Sequence, residues 1–134
     1  MDRQTPVRSG RTIGDGMQAL LKFEELFLVL LSLFLFLSFG YAWWWFPLLF
    51  LAPDLSAVGY LLGPRVGAWT YNLAHHKGIA VLLFVLGGVL HVPRLQVAGL
   101  IMLGHSSFDR VLGYGLKYTD SFQHTHLGRV GRGG

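Results

Sequence analysis

LFLVLLSLFLFLSF, residues 26–39, decides how this chain is read. The run carries no charge. With its flank from Met17 it is long enough to cross a hydrocarbon layer ~30 Å thick, which takes about 20 residues of helix. Lys22, Glu24 and Glu25 sit near its start. No small-residue cleavage site follows it: Phe39-Gly40-Tyr41-Ala42 leads straight into Trp43-Trp44-Trp45. The run therefore reads as a retained membrane helix over Met17 to Phe39 rather than a signal peptide. Three consecutive tryptophans fit an aromatic belt at a membrane interface.

Working outward, a second span is expected over Phe46 to Leu62. It holds Pro47 and Pro53, with Asp54 directly after the latter. A proline inside a span frees a carbonyl and loosens the helix. An acid beside it is costly against lipid and points inward. Gly63-Pro64-Arg65 ends this span. Val66 to Leu90 can be read in two ways, because only Ile79 to Leu90 is uniformly apolar. Either one helix crosses with a polar internal face, or a polar turn precedes a short span. No strong breaker stands between Val66 and Lys77, which favours the single helix. His91-Val92-Pro93-Arg94 is a tight turn, and Pro93 suits the first turn of a new helix. The fourth span runs from Leu95 to Leu112 and stops at Gly113 and Gly115. The expected class is all-α: a polytopic membrane protein with a four-transmembrane-helix bundle over residues 17–118. A flexible basic arm (1–16) precedes it and a polar Gly/Arg/His-rich tail (119–134) follows.

Composition agrees. Of 134 residues, 52% are hydrophobic and 13% charged, where an ordinary soluble domain carries roughly 25% charged residues. The chain has no cysteine, so disulfides, thiolate metal sites and a cysteine nucleophile are excluded. The net charge of +4 fits anionic lipid headgroups. Lys and Arg stand at segment ends and form no stripe, which argues against nucleic acid as a partner. Their placement at both chain ends and at Gly63 to Arg65 predicts an inner (cytoplasmic) membrane protein with both termini cytoplasmic.

Depth then brings residues together. At about 1.5 Å of rise per residue, Asp54, His75, His105 and Asp109 reach similar levels in the cytoplasmic half of a four-helix bundle. Glu24 or Glu25 lies a turn nearer the surface. Carboxylates and imidazoles projecting inward from several helices suit a divalent metal such as zinc, iron or manganese. Other readings of the same residues stay open. They could form a hydrogen-bond network gluing short helices together, or a proton or ion path. Ser106 and Ser107 adjoin His105 but do not face it on a helix. His124 and His126 read as part of a solvated tail.

The runs APDLSAVGYLLGPRVGAWTYNLAHH and LGHSSFDRVLGYGLKY, followed by FQHTHLG, resemble the bacterial integral-membrane family known as domain of unknown function 4260 over Phe23 to Gly128. The resemblance implies a four-span membrane fold and no named activity. Its motif residues fall here on Asp54, Tyr60, Gly63, Pro64, Tyr71, Asn72, His75, His105, Asp109, Arg110, Gly113, Tyr114, Lys117 and His126. A second similarity is to small inner-membrane proteins grouped as metal-dependent hydrolases, which carry Pro-Asp-x-Asp and Thr-His-Ser elements. Here Ser56 stands for the second Asp and Gly104 for the Thr.

The leading expectation is a metal-dependent hydrolase on a membrane-associated substrate, with Asp54, His75, His105 and Asp109 as ligands. Arg110 and Lys117, helped by Asn72 and Tyr71, would hold an anionic or headgroup moiety. The alternative is a non-enzymatic accessory or scaffold subunit, alone, as a homo-oligomer or with a membrane-protein partner.

Overall fold

The chain's computed structural model describes residues 13–130; most of the basic arm and the last four residues lie outside them. The fold is all-helical apart from one small hairpin. Helix α1 (Ile13–Ser38) begins within the segment assigned to the arm. After the turn at Gly40 come a short helix α2 (Trp45–Phe50) and a 3₁₀ helix (Ala52–Leu62). Then follow α3 (Pro64–Ala74), α4 (Lys77–Val89) and α5 (Pro93–Leu112). Strands β1 (His124–Thr125) and β2 (Gly128–Arg129) pair antiparallel near the C-terminus.

The second expected span is bounded as the sequence suggests, but its winding changes inside. Pro53 has no N–H to continue an α pattern. Asp54 N–H instead bonds to Leu51 O at 3.2 Å, a 3₁₀ step. Tighter winding rises about 2 Å per residue, so Trp45 to Leu62 still reaches on the order of 30 Å. Among the described residues this is the one continuous helical segment long and apolar enough to cross a membrane.

The single helix expected over Val66 to Leu90 is not found. The chain breaks at His75-His76, and α3 and α4 meet at 46°; only as a bent pair are they long and apolar enough to cross. The physical cause is a cap. His76 leaves the helical region (φ −87°, ψ 113°), and its ring accepts the Ile79 N–H, which starts a new helix. α1 and α5 do not count as crossing segments on their own. α1 carries Lys22, Glu24 and Glu25 just before its uncharged stretch from Leu26, and α5 carries Arg94, His105, Asp109 and Arg110.

Helix α5 is the hub, packing against α1, α2 and α4, while α3 lies against the 3₁₀ helix. Contact with α1 is close enough that a Cβ on Gly104 would stand 2.6 Å from Ser32 Oγ. Ser32 in turn donates to Leu100 O at 2.5 Å, tying the two helices side chain to backbone. The apolar core is small: Phe36, Phe46, Val97, Leu100 and Ile101. Much of the interior is polar. Ser32, His75, His105, Ser106, Ser107, Asp109, Arg110, Lys117 and Thr125 are all buried. Large apolar side chains face outward instead, among them Phe27, Phe34, Trp43, Leu55, Leu61 and Leu62, the last two about four-fifths exposed.

Candidate metal centre

Three elements deliver four ligating side chains to one point. Asp54 comes from the first turn of the 3₁₀ helix, His75 from the residue that ends α3, and His105 and Asp109 from one face of α5. One ligand atom from each of the four lies within 4.8 Å of all the others. His75 Nε2 and His105 Nε2 stand 3.2 and 3.1 Å from Asp54 Oδ1, and both are 3.6 Å from Asp109 Oδ2. The depth argument from sequence thus brings its four residues together.

The far side of each imidazole fixes its tautomer. His75 Nδ1 is 2.8 Å from Tyr71 O, and His105 Nδ1 is 2.5 Å from Phe50 O. A carbonyl oxygen only accepts, so both Nδ1 atoms donate. In the neutral rings both Nε2 lone pairs then point at carboxylate oxygens. Lone pairs facing anions repel unless a proton or a cation lies between them. The Phe50 carbonyl is available because of Pro53. The 3₁₀ step sends the Asp54 N–H to Leu51 O, one residue past the partner an α-helix would use, and His105 takes the acceptor left over.

Tyr71 supports the cluster from two directions. Its ring stacks on His75 at 3.7 Å between centroids, and its hydroxyl donates to Asp109 Oδ2 at 3.2 Å. His75 is fully buried, His105 and Asp109 nearly so, and the Asp54 side chain is 52% exposed. The cluster is therefore closed on three sides and open at Asp54. Beside it lies an apolar recess of about 730 Å³, lined by Phe36, Trp45, Leu49, Ile101 and by Pro53 and Ala74, the immediate chain neighbours of Asp54 and His75.

The residues expected to hold an anionic group divide. Asn72 donates to Lys117 O at 2.7 Å and accepts from Lys117 N at 2.6 Å, so its amide fastens the segment after α5. Lys117 is 5% exposed rather than at the surface. Its Nζ lies 4.0 Å from the Phe122 ring centroid and 4.9 Å from that of Tyr71, and it has no hydrogen-bond partner among the described residues. Burial pushes its ammonium below the ordinary lysine range, with Asp109 pulling the other way. Arg110 donates to Tyr114 O at 3.0 Å and lines a different cleft, among whose walls none of the four cluster residues stands.

Sequence reasoning missed the C-terminal hairpin. His126 is solvent-exposed yet held in place: its Nδ1 accepts the Leu116 N–H at 2.8 Å, and its own N–H returns to Leu116 O at 3.0 Å. Burial, then repulsion from Arg110, lowers its proton affinity, which keeps that lone pair free to accept. Glu25 does not join the cluster but pairs with Lys77. The FQHTHLG run was the available signal, since polar residues around a Gly mark a turn.

A family model described as Domain of unknown function (DUF4260) matches residues 18–130. No curated protein and no solved structure matches the chain.

Proposed function

The chain belongs to the Domain of unknown function (DUF4260) family, and for it we propose a membrane-embedded, metal-dependent hydrolase acting on a membrane-associated substrate. One observation carries the metal. Two imidazoles donate Nδ1–H to backbone carbonyls, and their Nε2 lone pairs converge with two carboxylates. Histidine ligands to metals are held in this way by their second nitrogen. The distances agree: ligands at 2.0–2.2 Å around a tetrahedral ion stand ~3.4 Å apart, against 3.1 to 3.6 Å for the four His–Asp pairs here. Nitrogen and oxygen donors without sulfur suit zinc, iron or manganese.

A divalent ion held there supplies a Lewis acid that polarises a scissile bond and activates water. The protein's share is to leave one side open. Asp54 is half exposed and its chain neighbour Pro53 lines the apolar recess, so a lipophilic substrate would approach past Pro53 and Ala74. Lys117 and Tyr71 border the cluster on its closed side. The membrane reading rests on the inverted distribution of polarity. A chain with buried His, Asp, Arg and Lys and outward Leu, Phe and Trp is matched to lipid. In that setting α1, the Trp45–Leu62 segment, the bent α3–α4 pair and α5 are the four crossings, with both termini cytoplasmic.

Metal analysis of detergent-purified protein tests this reading. One zinc, iron or manganese per chain is expected, lost in Asp54→Ala and in His105→Ala. A metal-free wild type, with those variants only less stable, would instead favour the scaffold reading, in which the cluster is glue.

A further inference from the structure

Two adjacent residue pairs stand back to back. His75 and Asp109 face the cluster, whereas their chain neighbours His76 and Arg110 line a separate cleft of about 510 Å³. The cleft lies between α1, the start of α4, the end of α5 and the C-terminal hairpin. Three cations reach it, Lys22, Lys77 and Arg110, against the single carboxylate of Glu25.

Several of its polar groups have no partner among the described residues. Arg110 is 91% buried by its 9% exposure, yet a single hydrogen bond, to Tyr114 O, engages its five N–H donors. Lys77 and Gly78 contribute backbone amides that precede the first intrahelical bond of α4, from Ala80 N–H to His76 O. Such N–H groups, with the positive end of the helix dipole, favour an anion. His126 adds another donor, because Nδ1 accepts from Leu116 and the neutral ring then carries its proton on Nε2. Glu25 differs. One oxygen pairs with Lys77, and Oε2 is buried with no partner among the described residues. The ligand must therefore bring a strong acceptor for the cations and amides, and a donor for Glu25.

We infer that this cleft binds a phosphate group carried on a moiety with a neighbouring hydroxyl or amine, at a site distinct from the His/Asp cluster. Guanidinium, ammonium and helix amides together recognise phosphate oxygens. The Leu21, Leu116 and Leu127 side chains on its walls give an apolar edge continuous with the outward face of α1, as an esterified lipid headgroup would need.

Calorimetric titration of the detergent-purified chain compares inorganic phosphate with a short-chain phosphatidylethanolamine, whose amine would donate to Glu25. Both should bind. Much tighter binding of the lipid assigns the site to a headgroup, and equal binding assigns it to a free phosphate ester; either upholds the inference. Arg110→Gln should weaken binding by about tenfold or more, the loss of a charge-assisted contact. Lys22→Gln should weaken it severalfold; its side chain is at the exposed rim, so it decides the matter if Arg110→Gln fails to fold. Asp54→Ala should keep phosphate binding while losing metal, and the two sites can thus fail separately. The inference is overturned if wild type takes neither ligand, if Lys22→Gln binds as wild type does, or if Asp54→Ala abolishes binding.

Discussion

Lys117 is the residue whose presence is hardest to justify by stability alone. Its ammonium is buried against the Tyr71 and Phe122 rings and lacks a hydrogen-bond partner among the described residues. Cation–π contact offsets part of the lost hydration, and Asp109 adds attraction, yet desolvation still dominates and lowers its proton affinity. The sign follows from linkage. A folded-state pKa below the unfolded value means that the unfolded chain binds more protons, so this group's contribution to stability rises with pH between the two values. Below the folded value the cost is fully present. Lys117→Met keeps a flexible apolar stem against both rings and removes the charge. Its melting temperature at pH 7 should equal or exceed wild type's, and the gap should narrow as the pH climbs toward the lysine reference of 10.5. Thermal unfolding in detergent across that range checks it; a variant much less stable at pH 7 would show that Nζ is a net stabiliser.

At the scale of elements, Pro53 converts sequence into chemistry. It shifts the helix to 3₁₀ winding, sets Asp54 within reach of both imidazoles and leaves the Phe50 carbonyl for His105. Pro53→Ala restores a donor and lets the α pattern continue, so that the Asp54 N–H competes for Phe50 O and Asp54 rotates with its helix. Helix content should hold, while metal affinity falls by roughly 10- to 100-fold, the usual cost of losing a group that orients a ligand. Circular dichroism beside metal titration separates the two effects. This proline was legible in the sequence, as were the limits of α5, set by Pro93 and by Gly113 in the left-handed region (φ 88°). The four cluster residues were legible because helical rise, at modest tilt, fixes approximate depth along each segment. The break at His75-His76 was not. Ser, Thr, Asp and Asn are the usual caps, and a histidine doing that work has no distinguishing pattern. The hairpin escaped because two-residue strands carry too little alternation to be read. Lys117 was expected at the surface because nothing local announces that Asn72, 45 positions earlier, clasps its backbone.

Across the whole molecule, polarity is sorted in the opposite sense to a water-soluble domain. Among the described residues, polar and charged side chains are buried about as often as apolar ones, and the outward large side chains are mostly Leu, Phe, Trp and Val. In water that outward surface would exceed by far the few hundred Å² that monomers leave exposed. In lipid it costs nothing, and the polar interior becomes the part that needs internal partners. The bent α3–α4 pair fits this setting, because freed backbone at His75 is turned toward protein ligands rather than lipid. The cysteine-free sequence makes the topology directly testable. Single cysteines replace three exposed residues, one in the turn before α2, one in the first turn of α3 and one in the C-terminal hairpin: Ala42→Cys, Arg65→Cys and Arg129→Cys. In sealed vesicles with the cytoplasmic face outward, a membrane-impermeant maleimide should label Arg65→Cys and Arg129→Cys and spare Ala42→Cys. Right-side-out vesicles should give the reverse. Labelling of Ala42→Cys and Arg65→Cys from the same side would mean that Trp45–Leu62 does not cross, and Asp54 would then reach the cluster from a segment lying along the interface.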